Sequence, residues 1–168
     1  ILEGIRGADA LIVTGGTSVG ELDLVPEAVS ALGEVIVHGL MMRPGKPTGF
    51  GVIEGKPVFM LSGFPVAALV GFQLLVRPAL SLMLGYMEEP RPRIRGRLTR
   101  RVATPPSTRS YVRVKLIRVP DGLLAEPVAA RGSGLLSTVA GADGYVVVPE
   151  DRDGLEAGEY VEVYLFGW

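Results

Sequence analysis

Apolar residues fall along this chain in two rhythms, and the change between them comes near its middle. In the first half, short apolar runs alternate with stretches of helical period. Ile1 to Gly7 reads as the tail of a helix capped by Gly7, and Asp9 to Thr14 as a short buried strand. Leu24, Val25, Ala28, Val29 and Leu32 then recur at helical spacing, with Asp23 as N-cap, Pro26 in the first turn and Gly33 as the stop. Glu34 to His38 is a second strand. Thr48 to Ile53 and Pro57 to Leu61 flank Glu54-Gly55-Lys56, a hairpin signal, and Ser62-Gly63-Phe64-Pro65 turns the chain into a long apolar helix. This alternation predicts βαβ units and a parallel sheet.

Beyond Gly85 the rhythm shortens to period two. A charged, proline-punctuated stretch, Glu88-Glu89-Pro90-Arg91-Pro92-Arg93, reads as a linker. After it come five β-type runs, Ile94 to Val102, Ser110 to Val119, Leu123 to Pro127, Gly144 to Pro149 and Glu159 to Phe166, with Pro120-Asp121-Gly122 as a tight turn. Five short strands with little helix predict a small barrel or sandwich. The fold class is therefore α/β: a partial doubly wound sheet over residues 1–86, a linker over 87–93, and a small all-β barrel-like domain over 94–168. The first domain has fewer strands than a doubly wound sheet usually carries, so a missing segment in cis or trans is expected to complete it.

Composition narrows the chemistry. Hydrophobic residues make up 48% of the chain, enough for a packed core and too many for disorder. Net charge is −1, so no global attraction to nucleic acid is expected. With no cysteine, thiolate metal sites and thiol nucleophiles are excluded. His38 is the single histidine, which excludes histidine metal clusters and Ser-His-Asp triads. The chain opens on Ile1-Leu2-Glu3 without a signal-peptide pattern, and a cytoplasmic setting is expected. Phe64 to Tyr86 is almost wholly apolar, but Gln73, Arg77 and Pro78 favour a buried helix over a membrane span. Arg91, Arg93, Arg95 and Arg97 alternate along one strand face, and no aromatic interleaves them, so a solvated face is expected.

Three turns carry chemistry. Thr14-Gly15-Gly16-Thr17-Ser18-Val19-Gly20-Glu21-Leu22-Asp23 joins a strand to a helix N-terminus through glycines, hydroxyls and two carboxylates. Such a loop can hold an oxyanion on free N–H groups, with a divalent cation on its carboxylates. The alternative is an ordinary glycine turn. Arg43-Pro44-Gly45-Lys46-Pro47 offers two cations on a proline-stiffened loop, suited to one small anion or simply to solvent. Ser62-Gly63-Phe64-Pro65 is a third glycine turn at a strand end. Arg109 and the loop Arg131-Gly132-Ser133-Gly134 are basic positions in the second half.

Together these segments resemble the molybdopterin molybdenumtransferase family, which includes MoeA and the E domain of gephyrin. The likeness rests on the acidic glycine loop, on Arg43-Pro44-Gly45-Lys46-Pro47-Thr48-Gly49-Phe50-Gly51, on Lys56-Pro57-Val58-Phe59 before a Gly-x-Pro turn, and on Val76-Arg77-Pro78-Ala79-Leu80. It extends through Arg109 to Val114 and Gly132-Ser133-Gly134. The resemblance implies a MogA-like sheet and Mg²⁺-dependent insertion of molybdenum from molybdate into adenylylated molybdopterin. It implies that Asp23, with Glu21 nearby, is the catalytic, metal-linked carboxylate. Gly15, Gly16, Ser18, Gly20, Ser62 and Gly63 are implied to contact substrate. Arg43, Gly45, Lys46 and Pro47 are implied to form the oxyanion pocket, completed by Arg109 and Ser133. It further implies a homodimer that needs the N-terminal half absent from this sequence. Three positions depart from the family pattern: Ser62-Gly63-Phe64-Pro65 replaces Pro-Gly-Asn-Pro, Ala67 or Ala68 replaces a serine, and Ala142-Asp143 replaces Ala-Asn. A non-catalytic pterin- or molybdate-binding or scaffolding module of the same family is the other reading. A related pterin adenylyltransferase is a third, which the barrel-like strands disfavour.

Overall fold

The computed structural model describes residues 1–17, 24–86, 90–128 and 137–166. They belong to two compact units, one of Ile1–Leu40 with Gly45–Met87 and the other of Met41–Pro44 with Glu88–Trp168. In chain order the elements up to the linker are α1 (Leu2–Arg6), β1 (Leu11–Thr14), α2 (Val25–Leu32), β2 (Glu34–His38), β3 (Met42–Arg43), β4 (Gly49–Ile53), β5 (Lys56–Leu61), α3 (Pro65–Gly71) and α4 (Arg77–Met83). All but β3 lie in the first unit.

The sheet of the first unit has the order β1-β5-β4-β2. Strand β5 is central, and its residues Val58, Phe59, Met60 and Leu61 are buried on both faces, as a continuous apolar run requires. Val58 and Met60 pack with Ile5, Val29 and Ile53 on the α1–α2 side. Phe59 and Leu61 pack with Val76, Phe72, Leu75 and Leu80 on the other side. The sheet is mixed rather than parallel throughout, and the hairpin read at Glu54-Gly55-Lys56 is present. β1 and β5 run parallel, but β4 is antiparallel to β5 and β2 is antiparallel to β4. The cause is local: Glu54 and Gly55 both take positive φ, 51° and 77°, which makes the primed turn that joins strands directly into a hairpin. Ten residues between β2 and β4 leave no length for a parallel crossover helix.

α3 and α4 form one apolar helix, Pro65–Met83, interrupted by a π-helical stretch over Phe72–Val76. Pro78 follows that stretch at the start of α4, where the missing N–H falls in a ladder already widened. By length and composition this helix could cross a membrane. Here it buries one face, including Val66, Ala67, Gly71 and Val76, while Leu82, Met83 and Leu84 are exposed. The helix expected to be buried is so on one face only.

The second unit continues with β6 (Arg93–Leu98), β7 (Val102–Ala103), β8 (Arg109–Val119), β9 (Gly122–Pro127), α5 (Ser137–Ala140), β10 (Gly144–Val148), β11 (Gly154–Leu155) and β12 (Tyr160–Leu165). Neighbours run β10-β12-β6-β9-β8, and β8 pairs back to β10, closing a five-stranded barrel. Leu98, Val114, Ala125, Val146, Val148, Val161 and Val163 fill it, with Leu155 beside them. Strand β3 adds to β8 in parallel register, Met42 opposite Arg109 and Arg43 opposite Ser110. On the outer face Arg93, Arg95 and Arg97 are exposed, as their spacing predicts. The aromatics missing from that run come from the neighbouring strand: Arg93 sits over the Tyr164 ring and Arg95 over Tyr160, while Arg93 also pairs with Glu162.

Candidate functional site

The strand directions bring four chain ends to one edge of the first unit's sheet. β1, β5 and β2 end there and β4 begins there, because β4 alone runs the other way. That edge carries Gly15-Gly16-Thr17, Ser62-Gly63-Phe64, Pro47 and His38. A cavity of about 250 Å³ opens between them, lined by Gly15, Gly16, Thr17, Pro47, Ser62, Gly63 and Phe64. Turns separated by up to 49 positions in sequence thus share one pocket, placed where ligands collect in open α/β sheets.

The backbone explains why glycine occupies these turns. Gly15 and Gly16 have φ of 84° and 62°, in the left-handed region. A Cβ on Gly63 would stand 3.2 Å from the Gly15 Cα, so the two turns approach through bare backbone. Leu61 carbonyl oxygen accepts from the Gly15 N–H at 3.0 Å and from the Thr17 hydroxyl at 3.1 Å. Ser62 Oγ accepts the Phe64 N–H at 3.2 Å. His38 Nε2 donates to the Thr17 carbonyl at 2.7 Å, which ties the end of β2 to the glycine loop. Replacing His38 with Ala is expected to cost about 1 kcal/mol of stability and to speed amide exchange at Gly16 and Thr17, with Gln restoring the donor. Chemical denaturation and hydrogen exchange check this; unchanged exchange would remove the tie.

Arg43 and Pro44 belong to the second unit; Gly45, Lys46 and Pro47 belong to the first. Lys46 is exposed and its carbonyl accepts the Leu40 N–H at 2.8 Å, while buried Gly45, at φ 111°, accepts from Thr48. Neither lines the sheet-edge cavity. Ser18, Gly20, Glu21, Asp23 and Ser133 lie outside the described residues, as does the expected Asp23 cap; Leu24 stands at the N-cap position of α2. Among the described residues no three His, Asp or Glu side chains converge as a metal site. The carboxylates assigned to Mg²⁺ by resemblance, Glu21 and Asp23, are not among those residues.

A second cavity, of about 400 Å³, lies within the barrel unit. Arg43, Thr104, Ser110, Tyr111 and Arg113 contribute its polar groups, and among the described residues no carboxylate lines it. Arg113 is the residue the sequence spacing missed. It is only 9% exposed, its Nε has no hydrogen-bond partner, and burial lowers its pKa from the ordinary arginine value. Burial pushes the Tyr111 phenol up, against the lowering effect of the Arg109 charge. Arg109, four residues earlier, is half-exposed and forms a two-pronged pair with Glu150 at 2.9 and 3.3 Å. Glu150's own amide, and then that guanidinium, hold its carboxyl below the usual range. At the departure Ala142-Asp143, the Asp143 carboxylate accepts the Leu116 N–H at 2.7 Å and so serves the barrel wall.

Comparison with known proteins bears on both units. Residues 1–82 match the family described as a probable molybdopterin binding domain, and residues 95–166 match the C-terminal region, domain IV, of MoeA. Over both regions the chain belongs to the MoeA family. A protein of Methanocaldococcus jannaschii named for molybdopterin biosynthesis is 45% identical over 94% of this chain and 36% of its own length. A molybdopterin molybdenumtransferase of Staphylococcus aureus is 32% identical over 98% of this chain and 40% of its own. The crystal structure of a molybdopterin biosynthesis MoeA protein from Pyrococcus horikoshii superposes with a TM-score of 0.80 at 40% identity, covering 99% of this chain and 40% of that one. The chain therefore spans about two fifths of the length of these MoeA relatives.

Proposed function

We propose that this chain supplies the pterin- and oxyanion-binding part of a transferase of molybdenum cofactor biosynthesis, one that inserts molybdenum from molybdate into adenylylated molybdopterin. The observation carrying the proposal is the sheet-edge cavity that joins Gly15–Thr17, Pro47 and Ser62–Phe64, in a unit matched to a molybdopterin-binding family. Glycine turns without side chains let a flat ring and its phosphate approach the backbone closely. In the barrel unit, Arg113 with Arg43 offers guanidinium donors in a cavity that no carboxylate lines among the described residues, suited to a doubly negative oxyanion. Asp23 and Glu21 are the carboxylates that would hold Mg²⁺. The dithiolene chemistry belongs to the pterin, and the remaining N-terminal segment, a second copy of the enzyme and a cytoplasmic setting complete the proposal.

One observation favours the second reading, a binding module without turnover: no charged side chain lines the sheet-edge cavity among the described residues. Mixing this chain with the N-terminal remainder of the enzyme and assaying molybdate-dependent AMP release separates the two. Release is expected; tight pterin binding with no release would establish the module instead. In the same system Lys46→Ala is expected to weaken molybdate binding by about tenfold while changing stability by no more than about 0.5 kcal/mol, because the side chain is exposed. Equal loss of binding and stability would make Lys46 structural.

A further inference from the structure

Phe64 is 60% exposed, and it is the one exposed phenylalanine among the described residues. Single exposed apolar residues are ordinary on a protein surface, but this ring stands on the wall of the sheet-edge cavity. Its backbone is fixed on both sides. The Phe64 N–H donates to Ser62 Oγ at 3.2 Å, and the Phe64 carbonyl accepts the Ala68 N–H at 2.9 Å as α3 begins. The rest of the lining limits the chemistry of a guest. Gly15, Gly16 and Gly63 bring bare backbone, Pro47 adds an apolar ring, and the buried hydroxyls of Thr17 and Ser62 are engaged within the protein. Among the described residues no charged side chain lines the space. Its volume of about 250 Å³ lies below the roughly 300–1,000 Å³ of pockets that enclose a whole drug-sized ligand. One flat ring system suits it; a complete adenylylated pterin does not. At Phe64 the turn departs from the family pattern Pro-Gly-Asn-Pro, so the aromatic face is a property of this chain.

We propose that Phe64 is a stacking platform for the fused heteroaromatic ring of the substrate, pterin or adenine, at the sheet edge. The platform rests on the reading that this cavity receives the substrate, and it assigns the space to a ring and not to a phosphate. A planar heterocycle laid on the Phe64 face gains a stacking contact that an aliphatic side chain cannot supply. Phe64→Leu removes that face and stays apolar, whereas Phe64→Tyr keeps it. Proton NMR of unsubstituted pterin and, separately, of AMP, each titrated with the 168-residue chain, reads the contact directly. Protons of a stacked ring move upfield in the ring current of Phe64. Upfield movement is expected with the wild type and with Phe64→Tyr. Phe64→Leu is expected to lose it and to bind about tenfold more weakly, with a probe-free thermal midpoint within about 2 °C of wild type. Movement of one probe alone identifies the end of the substrate that the cavity receives; movement of both makes the platform a site for either ring. Wild-type affinity and unchanged shifts in Phe64→Leu overturn the platform and leave the cavity a ring site. Weaker binding that comes with a fall in midpoint shared by Phe64→Tyr makes Phe64 structural. Binding of neither probe to the wild type overturns the substrate-site reading, and the platform with it.

Discussion

Arg113→Met is expected to make the protein more stable and to weaken oxyanion binding in the barrel cavity. A guanidinium that is nine-tenths buried with an unpartnered Nε carries an uncompensated desolvation cost, seen in its lowered pKa. Methionine has similar length and no polar atom, and exchanging a buried charge for a well-packed apolar side chain stabilises by about 1–3 kcal/mol. At this chain length each kcal/mol raises the melting midpoint by about 2–4 °C. Molybdate affinity should fall by at least about tenfold, because the cavity keeps Arg43 but loses its most desolvated donor. Scanning calorimetry with and without molybdate reads both effects on one sample. A lower anion-free midpoint would mean that Arg113 holds the barrel together, and the assignment of its role to ligand binding would fail.

Arg113 also shows where the sequence stops being legible. Arg109, Tyr111, Arg113 and Lys115 alternate on β8, so period two places all four on the face opposite Val112 and Val114. Which of them is covered depends on parts remote in sequence: Thr104 and Pro105 after β7, Val128 after β9, and β3. The family resemblance selected Arg109, which the fold leaves half in solvent against Glu150. The sheet was legible where one local cause decides the outcome. Gly15-Gly16, Glu54-Gly55 and Ser62-Gly63 mark turns whose φ values or close approach demand glycine, and the barrel strands follow from alternation and short turns. β5 reads as a central strand because its apolar run is unbroken. The pairing of β3 with β8 was not legible. Two residues carry no periodicity, and their partners lie 67 positions away. The mixed direction of the sheet follows from the hairpin turn at Glu54-Gly55, which overrides the parallel pairing that alternating strands and helices imply.

Gly51→Ala is expected to cost about 3 kcal/mol, a large share of the roughly 5–15 kcal/mol that holds a domain folded. Gly51 sits in β4 opposite Val35 of β2 and Val58 of β5, between strands bonded on both sides. A Cβ there would lie 2.4 Å from the Glu34 carbonyl oxygen and 2.8 Å from Val29 Cγ1. The first contact is backbone and cannot rotate away; relieving it means moving β2, and with it the ladder that ends at His38 and the Thr17 tie. The second contact is a short β-branched side chain in the core under α2. Val29→Ala should therefore recover only part of the loss in a double mutant, and it would open a cavity of its own. By contrast Gly55, at the hairpin tip, has open space around its Cβ position, so Gly55→Ala meets only the cost of its left-handed φ, about 1 kcal/mol. Urea denaturation of the three variants orders them: Gly51→Ala least stable, the double mutant above it, Gly55→Ala nearest wild type. If Gly51→Ala matched Gly55→Ala, the close approach of β2, β4 and α2 that sets the geometry of the sheet edge would be wrong.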